Sequence, residues 1–129
     1  MRLEFKTPRI KSEWHSDLIH PRLRVVILYA HGWLLNTYGI PATLTELIRT
    51  AEENRAIYGD DQVSVHQVGR GADIRCQGPG FPTNVGASLS QAVNAAFAYS
   101  AGKLVAVYEP EAKKGAHVHL QVTRVGRWL

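Results

Sequence analysis

The stretch "SVHQVGRGADIR", residues 64–75, decides how this 129-residue chain is interpreted. Ala72 and Ile74 alternate with polar residues there, which indicates a strand with one apolar face and one polar face. Asp73 falls on the polar face, and a carboxylate inside a strand needs compensation by an arginine or a metal ion. The two glycines that precede the strand allow the chain to fold back and bring His66 close to that carboxylate.

A second polar face lies in "AHVHLQVTRV", residues 116–125, which alternates in the same way. Its aliphatic residues point to one side, whereas His117 and His119 share the other side. Taken alone, the pair fits two histidines exposed on a half-buried sheet. However, one histidine of this strand, together with His66 and Asp73, gives two imidazoles and one carboxylate. These are the protein ligands of a typical catalytic zinc site. Such a site leaves a fourth position to water, whose pKa zinc lowers to about 7.

The patterns along the rest of the chain predict an α+β fold, with an antiparallel sheet, helices packed on one face, and the zinc site on the open face. Pro21 suits the start of the first long helix and Gly39 its end, while Thr50 and Ser88 are candidate caps. The short segment 111–115 indicates a hairpin between the last two strands. We expect helices over residues 20–39, 50–59 and 88–101, and strands over residues 43–49, 71–78, 103–110 and 116–125.

The bulk composition is that of an ordinary globular chain, with 45% hydrophobic and 20% charged residues. The length predicts a single domain over residues 1–129. Cys76 is the only cysteine, which excludes an intrachain disulfide and a cysteine-rich zinc site. No apolar run is long enough to cross a bilayer, and the first residues lack the apolar core of a signal peptide. We therefore expect no membrane partner and synthesis in the cytoplasm, with release to a cell wall by another route left open.

The chain resembles the LAS-type zinc peptidases, which include D-alanyl-D-alanine carboxypeptidases and dipeptidases, phage endolysins and the Hedgehog signalling domain. Their motif S-x-H-x-x-G-x-A-x-D is matched at Ser64, His66, Gly69 and Asp73. Gly71 stands where the family usually has Ala, a change between small residues. His117 and His119 supply the H-x-H that follows, and the similarity covers about residues 42–122.

The resemblance implies a role for each matching residue. Zinc would be bound by His66, Asp73 and His119. His117 would be an active-site residue beside the metal. Arg49 would stabilise the oxyanion that develops in the transition state, because a fixed guanidinium there lowers the energy of the negative charge. The alternative for Arg49 is an ordinary surface charge at a strand end.

One departure from the family concerns the general base. Many members place Glu or Asp three residues before the last zinc histidine, but here that position is Ala116, and Lys114 stands three residues before His117. Three explanations remain open. His117 itself acts as the base, since histidine titrates in the right range. Glu109 or Glu111 supplies the carboxylate instead, or the protein binds zinc without hydrolysing anything.

These observations predict a zinc metallopeptidase that cleaves peptidoglycan peptides, at D-Ala-containing or cross-link bonds, in a phage or bacterial setting. The alternative is a catalytically inactive zinc domain of the same fold that binds cell wall or another protein. The net charge of +4 and the pI near 9.5 would also fit a polyanion such as nucleic acid or an anionic wall. However, the basic residues are scattered and no aromatic-plus-basic strand motif is present, so we expect no nucleic-acid partner.

Overall fold

The computed structural model describes residues 1–59, 65–97, 103–112 and 115–122. Within these residues the fold is α+β, as predicted, with four helices, one 3₁₀ turn and a five-stranded sheet. The helices are α1 (Pro8–Trp14), α2 (Pro21–Tyr38), α3 (Ala51–Tyr58) and α4 (Val85–Ala96), and the 3₁₀ turn is Val65–Val68. The strands are β1 (Glu4–Phe5), β2 (Thr43–Glu46), β3 (Gly71–Arg75), β4 (Ala106–Glu109) and β5 (His117–Gln121).

The sheet is mixed, so the prediction of a purely antiparallel sheet is wrong at one edge. The strand order is β1-β2-β3-β5-β4, and only β1 runs parallel to its neighbour. β1 is held by backbone hydrogen bonds from Glu4 to Ala42 (2.8 Å) and from Lys6 to Leu44 (2.9 Å). A strand of two residues is too short to show an alternating pattern, which is why the sequence does not reveal it.

The apolar face of the sheet forms the core together with α2 and α4. Ile74 on β3 and Leu120 on β5 are fully buried, as the alternation predicts. They belong to the same hydrophobic cluster as the buried face of α2 and the buried residues of α4. The polar residues of β3 and β5 are therefore left on the opposite face, where the candidate site lies.

Two helices begin where the sequence predicts. α2 starts at Pro21, after the ring of His20 has capped the helix by accepting a backbone hydrogen bond, and it ends at Gly39 with φ +69°. α3 is capped by Thr50, whose side chain and that of Glu53 exchange hydrogen bonds with each other's backbone. Each start satisfies N–H groups that have no partner inside the helix.

α4 begins and ends earlier than predicted. It starts at Val85, three residues before Ser88, and its N-cap Asn84 has φ +66° and makes no side-chain capping bond. It ends at Ala96, because Phe97 adopts an extended conformation. Residues 98–102, where the predicted helix would have ended, lie outside the described part of the chain.

β2 also ends early, at Glu46, rather than continuing for three more residues. Beyond that point the backbone makes its hydrogen bonds elsewhere. The N–H of Ile48 donates to Glu13 on α1 (3.1 Å), and the N–H of Arg49 donates to the carbonyl of His66 (3.3 Å). The end of the predicted strand therefore connects α1 to the turn that carries His66.

α1 is absent from the predicted elements although its start carries a recognisable signal. Thr7 caps the helix by accepting the N–H of Ile10 (3.2 Å), and Pro8 occupies the first turn, where its missing N–H costs nothing. Arg9 then joins α1 to α3 through an ion pair with Glu53 (2.8 Å). In the described part of the chain, none of the helices has both the length and the apolar character needed to cross a bilayer.

Candidate metal centre

Three predicted ligands converge on the polar side of the sheet. Candidate ligand atoms of His66, Asp73 and His119 all lie within 4.8 Å of one another. Oδ1 of Asp73 is 3.0 Å from Nδ1 of His119 and 3.4 Å from Nε2 of His66. This group could hold a metal ion.

The sheet register brings two of the three candidate ligands together. β3 and β5 are antiparallel neighbours in which Asp73 lies directly opposite His119, so their side chains emerge on the same face. The third candidate ligand, His66, comes from the 3₁₀ turn, which packs on the start of β3. A Cβ at Gly71 would stand only 2.5 Å from Cγ2 of Val65, so the absence of a side chain there allows the turn to approach the strand.

Each histidine of the cluster has an oxygen partner that orients its ring. Nδ1 of His66 donates to the carbonyl of Leu47 (3.1 Å), which leaves Nε2 directed at Asp73. Nε2 of His119 lies 3.2 Å from Oε1 of Gln121, which leaves Nδ1 directed at Asp73. Metal-binding histidines characteristically donate their remote N–H to an oxygen in this way, because it fixes the tautomer and the ring orientation.

Gln121 is therefore a site residue that the sequence did not single out. Its own amide nitrogen donates to the carbonyl of Leu104 (2.9 Å), and this bond turns Oε1 towards His119. The signal was available in the sequence, because Gln121 follows His117 and His119 on the polar face of the same strand.

Asp73 is a buried carboxyl, with only 4% of the residue exposed. Burial acts to raise the pKa of this carboxyl, but the hydrogen bonds of Asp73 with His119 and His66, and the charge of these rings when protonated, hold the pKa well below its usual range. A metal ligand must be deprotonated, and the lowered pKa favours the carboxylate form of Asp73.

His117 lies beside the cluster and is joined to one of the two carboxylates named from the sequence. Its Nδ1 donates to the carbonyl of Gly115 (3.0 Å), so its Nε2 faces the site. That Nε2 is 3.6 Å from Oδ2 of Asp73 and 3.3 Å from Oε2 of Glu109, which lies opposite His117 on β4. Glu111 is exposed just beyond β4 and makes no ion pair with His117 in the described structure.

Arg49 is not the surface charge of the alternative interpretation, because only 5% of the residue is exposed. Its guanidinium binds Glu46 with two parallel bonds, from Nε (2.8 Å) and Nη2 (2.9 Å), and donates from Nη1 to Asn54 (3.0 Å). This fork geometry fixes the plane of the Glu46 carboxylate.

Glu46 is the second site residue that sequence reasoning missed. Strict alternation along residues 43–49 predicts Glu46 on the same side as Leu44, where a charge would be a misfit. The register shifts between these two residues, so that Leu44 lies opposite Ile74 whereas Glu46 lies opposite Asp73. Such an irregularity re-aims a side chain, here onto the polar face. Burial acts to raise the pKa of Glu46, but the bond from Arg49 and the charge of His66 lower it overall.

A pocket of about 190 Å³ opens beside the cluster. Glu46, Asp73 and His117 line it, together with the cationic side chains of Lys6 and Arg75. A molecule that enters this pocket would therefore meet the Asp73 side of the cluster and the ring of His117.

Comparison of the chain with protein-family models, curated protein sequences and solved structures finds no match. The resemblance to LAS-type zinc peptidases therefore rests on the motif residues themselves. Two motif-related positions, Ser64 and Lys114, lie outside the described residues. Ala116, where many members have the general base, lines the pocket beside His117 but offers no ionisable group.

Proposed function

We propose that this protein is a zinc-dependent peptidase of the LAS type that cleaves peptide bonds of peptidoglycan. The observation that carries the proposal is the buried group of His66, Asp73 and His119, whose rings are oriented for metal binding and which borders an open pocket. The class of substrate comes from the motif resemblance alone.

Zinc is the metal that this ligand set suits best. Two neutral imidazoles and one carboxylate, with room for water, form a typical catalytic zinc site, whereas calcium and magnesium prefer oxygen ligands throughout. His66 would bind through Nε2, His119 through Nδ1 and Asp73 through its carboxylate. When bound, zinc supplies a water of lowered pKa and polarises the scissile carbonyl.

His117 carries proton transfer in this proposal. Its Nδ1–H is bound to the carbonyl of Gly115, so Nε2 is the nitrogen free to accept a proton from the attacking water. The same nitrogen can then return that proton to the amine that leaves when the peptide bond breaks. Glu109, 3.3 Å away, stabilises the imidazole while it carries the positive charge.

Arg49 holds the carboxylate of Glu46 at the wall of the pocket. The role that the resemblance implies, stabilising an oxyanion, requires Arg49 to turn away from that carboxylate or to use an N–H not bound to it. In this proposal Arg49 positions Glu46 while the pair is closed. It would stabilise an oxyanion either through an N–H that Glu46 does not use or after the pair has opened.

The proposal is tested by measuring zinc content and hydrolysis of muropeptides on the same samples. We expect about one zinc per chain in the wild type, and loss of both zinc and hydrolysis in His66→Ala and His119→Ala. His15→Ala removes an exposed histidine outside the cluster and is the matched control, which should retain both. Hydrolysis that survives in both ligand variants would overturn the proposal.

A zinc domain without catalytic activity is the second candidate, favoured by two observations about the general base. The usual carboxylate base is replaced by Ala116, and both oxygens of the nearby Glu46 are bound by Arg49. This candidate predicts zinc at full occupancy and binding of muropeptides, with no cleavage over a broad panel of peptides.

A further inference from the structure

Two cations and two carboxylates line the pocket, and among the residues that the structure describes only the carboxylates already have charged or hydrogen-bonding partners. Both oxygens of Glu46 are bound by Arg49, and Oδ1 of Asp73 faces two histidines. These two carboxylates are therefore already compensated. Lys6 and Arg75 line the same pocket, and in the described parts of the chain neither has a carboxylate oxygen within 4.0 Å of its charged nitrogens.

The two cations stand at defined places relative to the proposed reaction centre. Arg75 is two residues after Asp73 on β3, on the same face, and lies opposite His117. Lys6 directly follows β1, and its backbone is bonded to Leu44 on β2 (2.9 Å), so it belongs to the β2 side of the pocket. An anionic group bound by Lys6 and Arg75 would therefore lie in the pocket beside the cluster of His66, Asp73 and His119, without being part of that cluster.

The size of the pocket indicates what can enter. At about 190 Å³ it is smaller than the roughly 300–1,000 Å³ typical of sites that enclose a drug-sized ligand. It can therefore hold a short group such as the terminal residue of a peptide beside the cluster. Asp73 and Arg75 are two residues apart on β3, a separation of about 7 Å along the strand. One extended substrate residue of about 3.5 Å and a hydrogen bond of about 3 Å cover about the same length.

We propose, on the basis of the function proposed above, that Arg75 and Lys6 bind the free carboxylate of a peptide's C-terminal residue, one residue beyond the scissile bond. A guanidinium binds a carboxylate through two parallel hydrogen bonds, and the ammonium adds a second, adjustable charge. The substrate class is then peptides with a free C-terminus, and the enzyme removes a terminal residue rather than cutting internal cross-links.

The first experiment compares two substrates that differ only in this charge. A peptide that ends in D-alanine with a free carboxylate and the same peptide with a terminal amide are assayed for kcat and KM. We expect the wild type to favour the carboxylate by about tenfold or more in kcat/KM. Arg75→Gln should abolish this preference mainly through KM, Lys6→Gln should reduce it, and Arg75→Lys should retain part of it.

Lys103→Gln is the matched control, because it removes one positive charge from an exposed residue near the other end of β5. It should leave the preference for the carboxylate unchanged. Equal hydrolysis of the acid and the amide by the wild type would overturn the inference while leaving the peptidase function intact. A preference for the carboxylate that persists when both Lys6 and Arg75 are replaced by Gln would also overturn the inference and leave the peptidase function intact.

A binding measurement separates failure of the subsite from failure of the enzyme. Calorimetry with N-acetyl-D-alanine and with its amide is performed on the zinc-loaded protein and requires no turnover. Binding of the acid alone, lost in Arg75→Gln, supports the subsite even if no peptide is cleaved, in which case the peptidase proposal fails by itself. Absence of any difference between acid and amide would overturn the subsite, whatever the activity.

Discussion

At the scale of single residues, Gly71 shows why the turn that carries His66 fits where it does. A Cβ at this position would lie 2.5 Å from Cγ2 of Val65 and 3.2 Å from the backbone nitrogen of His66. Gly71→Ala, although Ala is usual in the resembling family, should therefore displace the turn here. We expect zinc affinity to fall by about tenfold to a hundredfold and the free energy of unfolding by about 1–3 kcal/mol.

Chelator competition and urea denaturation measure the two effects of Gly71→Ala separately. The control is Gly32→Ala in the middle of α2, where a Cβ would meet no atom within 4 Å. That variant should stabilise the protein by about 0.5–1 kcal/mol and leave zinc affinity unchanged, since Ala is the better helix former. Wild-type zinc affinity in Gly71→Ala would show that the contact does not position His66.

His117 is the residue whose replacement distinguishes catalysis from metal binding. Its Nε2 faces the pocket beside the ligand cluster, so His117→Gln should lower kcat by about a hundredfold to ten-thousandfold while zinc content stays near one per chain. Glu109→Gln should have a smaller effect, because Glu109 acts only through His117. Zinc lost together with activity in His117→Gln would instead identify His117 as a ligand.

At the scale of elements, the connection between α1 and α3 depends on a partly exposed ion pair. Both oxygens of Glu53 accept bonds from Arg9 (2.8 and 2.9 Å), and these bonds, with the backbone bond from Thr50, lower the pKa of Glu53 to about 2. Since the folded-state pKa is depressed, the stabilisation is full above the ordinary pKa of 4.5 and is lost as the pH falls through about 2.

Glu53→Gln should therefore lower the free energy of unfolding at pH 7 by less than about 1 kcal/mol, because water and salt screen a pair this exposed. The difference from the wild type should shrink between pH 4.5 and pH 2, and also in 1 M salt, where the Debye length is about 3 Å. Urea denaturation across this pH range measures it, with the exposed neighbour variant Glu52→Gln as control. A difference that stays constant with pH would assign the effect to packing.

The elements also show which parts of the fold a sequence can predict. β3 and β5 alternate clearly, and this alternation is sufficient to place Asp73 and His119 on polar strand faces. β1 has only two residues, which is too short for an alternating pattern. The register shift of β2 at Glu46 depends on its pairing with β3, so the sequence of β2 alone does not show it. At the start of α4 the N-cap residue Asn84 makes no side-chain capping bond, and the helix begins before the predicted cap Ser88. The Thr7 cap of α1 is a signal that the predicted elements leave out.

At the scale of the whole molecule, the candidate ligands come from separate parts of the chain. Asp73 and His119 belong to strands paired at the centre of the sheet, whereas His66 belongs to a turn whose backbone carbonyl also bonds Arg49. The apolar face with α2 and α4 supplies the rigid support, and the polar face presents the ligands. A metal bound by all three would therefore join the turn to the sheet in the folded state only.

Zinc should consequently raise the thermal stability of the protein. At a free zinc concentration a hundred times the dissociation constant, linkage predicts a gain of about 2.7 kcal/mol, or roughly 10 °C in Tm for a chain of this size. Differential scanning calorimetry with and without chelator measures the shift. It should vanish in His119→Ala and persist in His15→Ala, which alters only an exposed ring near Phe5. A shift of full size in His119→Ala would place the metal at other ligands, because the wild-type cluster cannot hold zinc tightly with one of its two imidazoles removed.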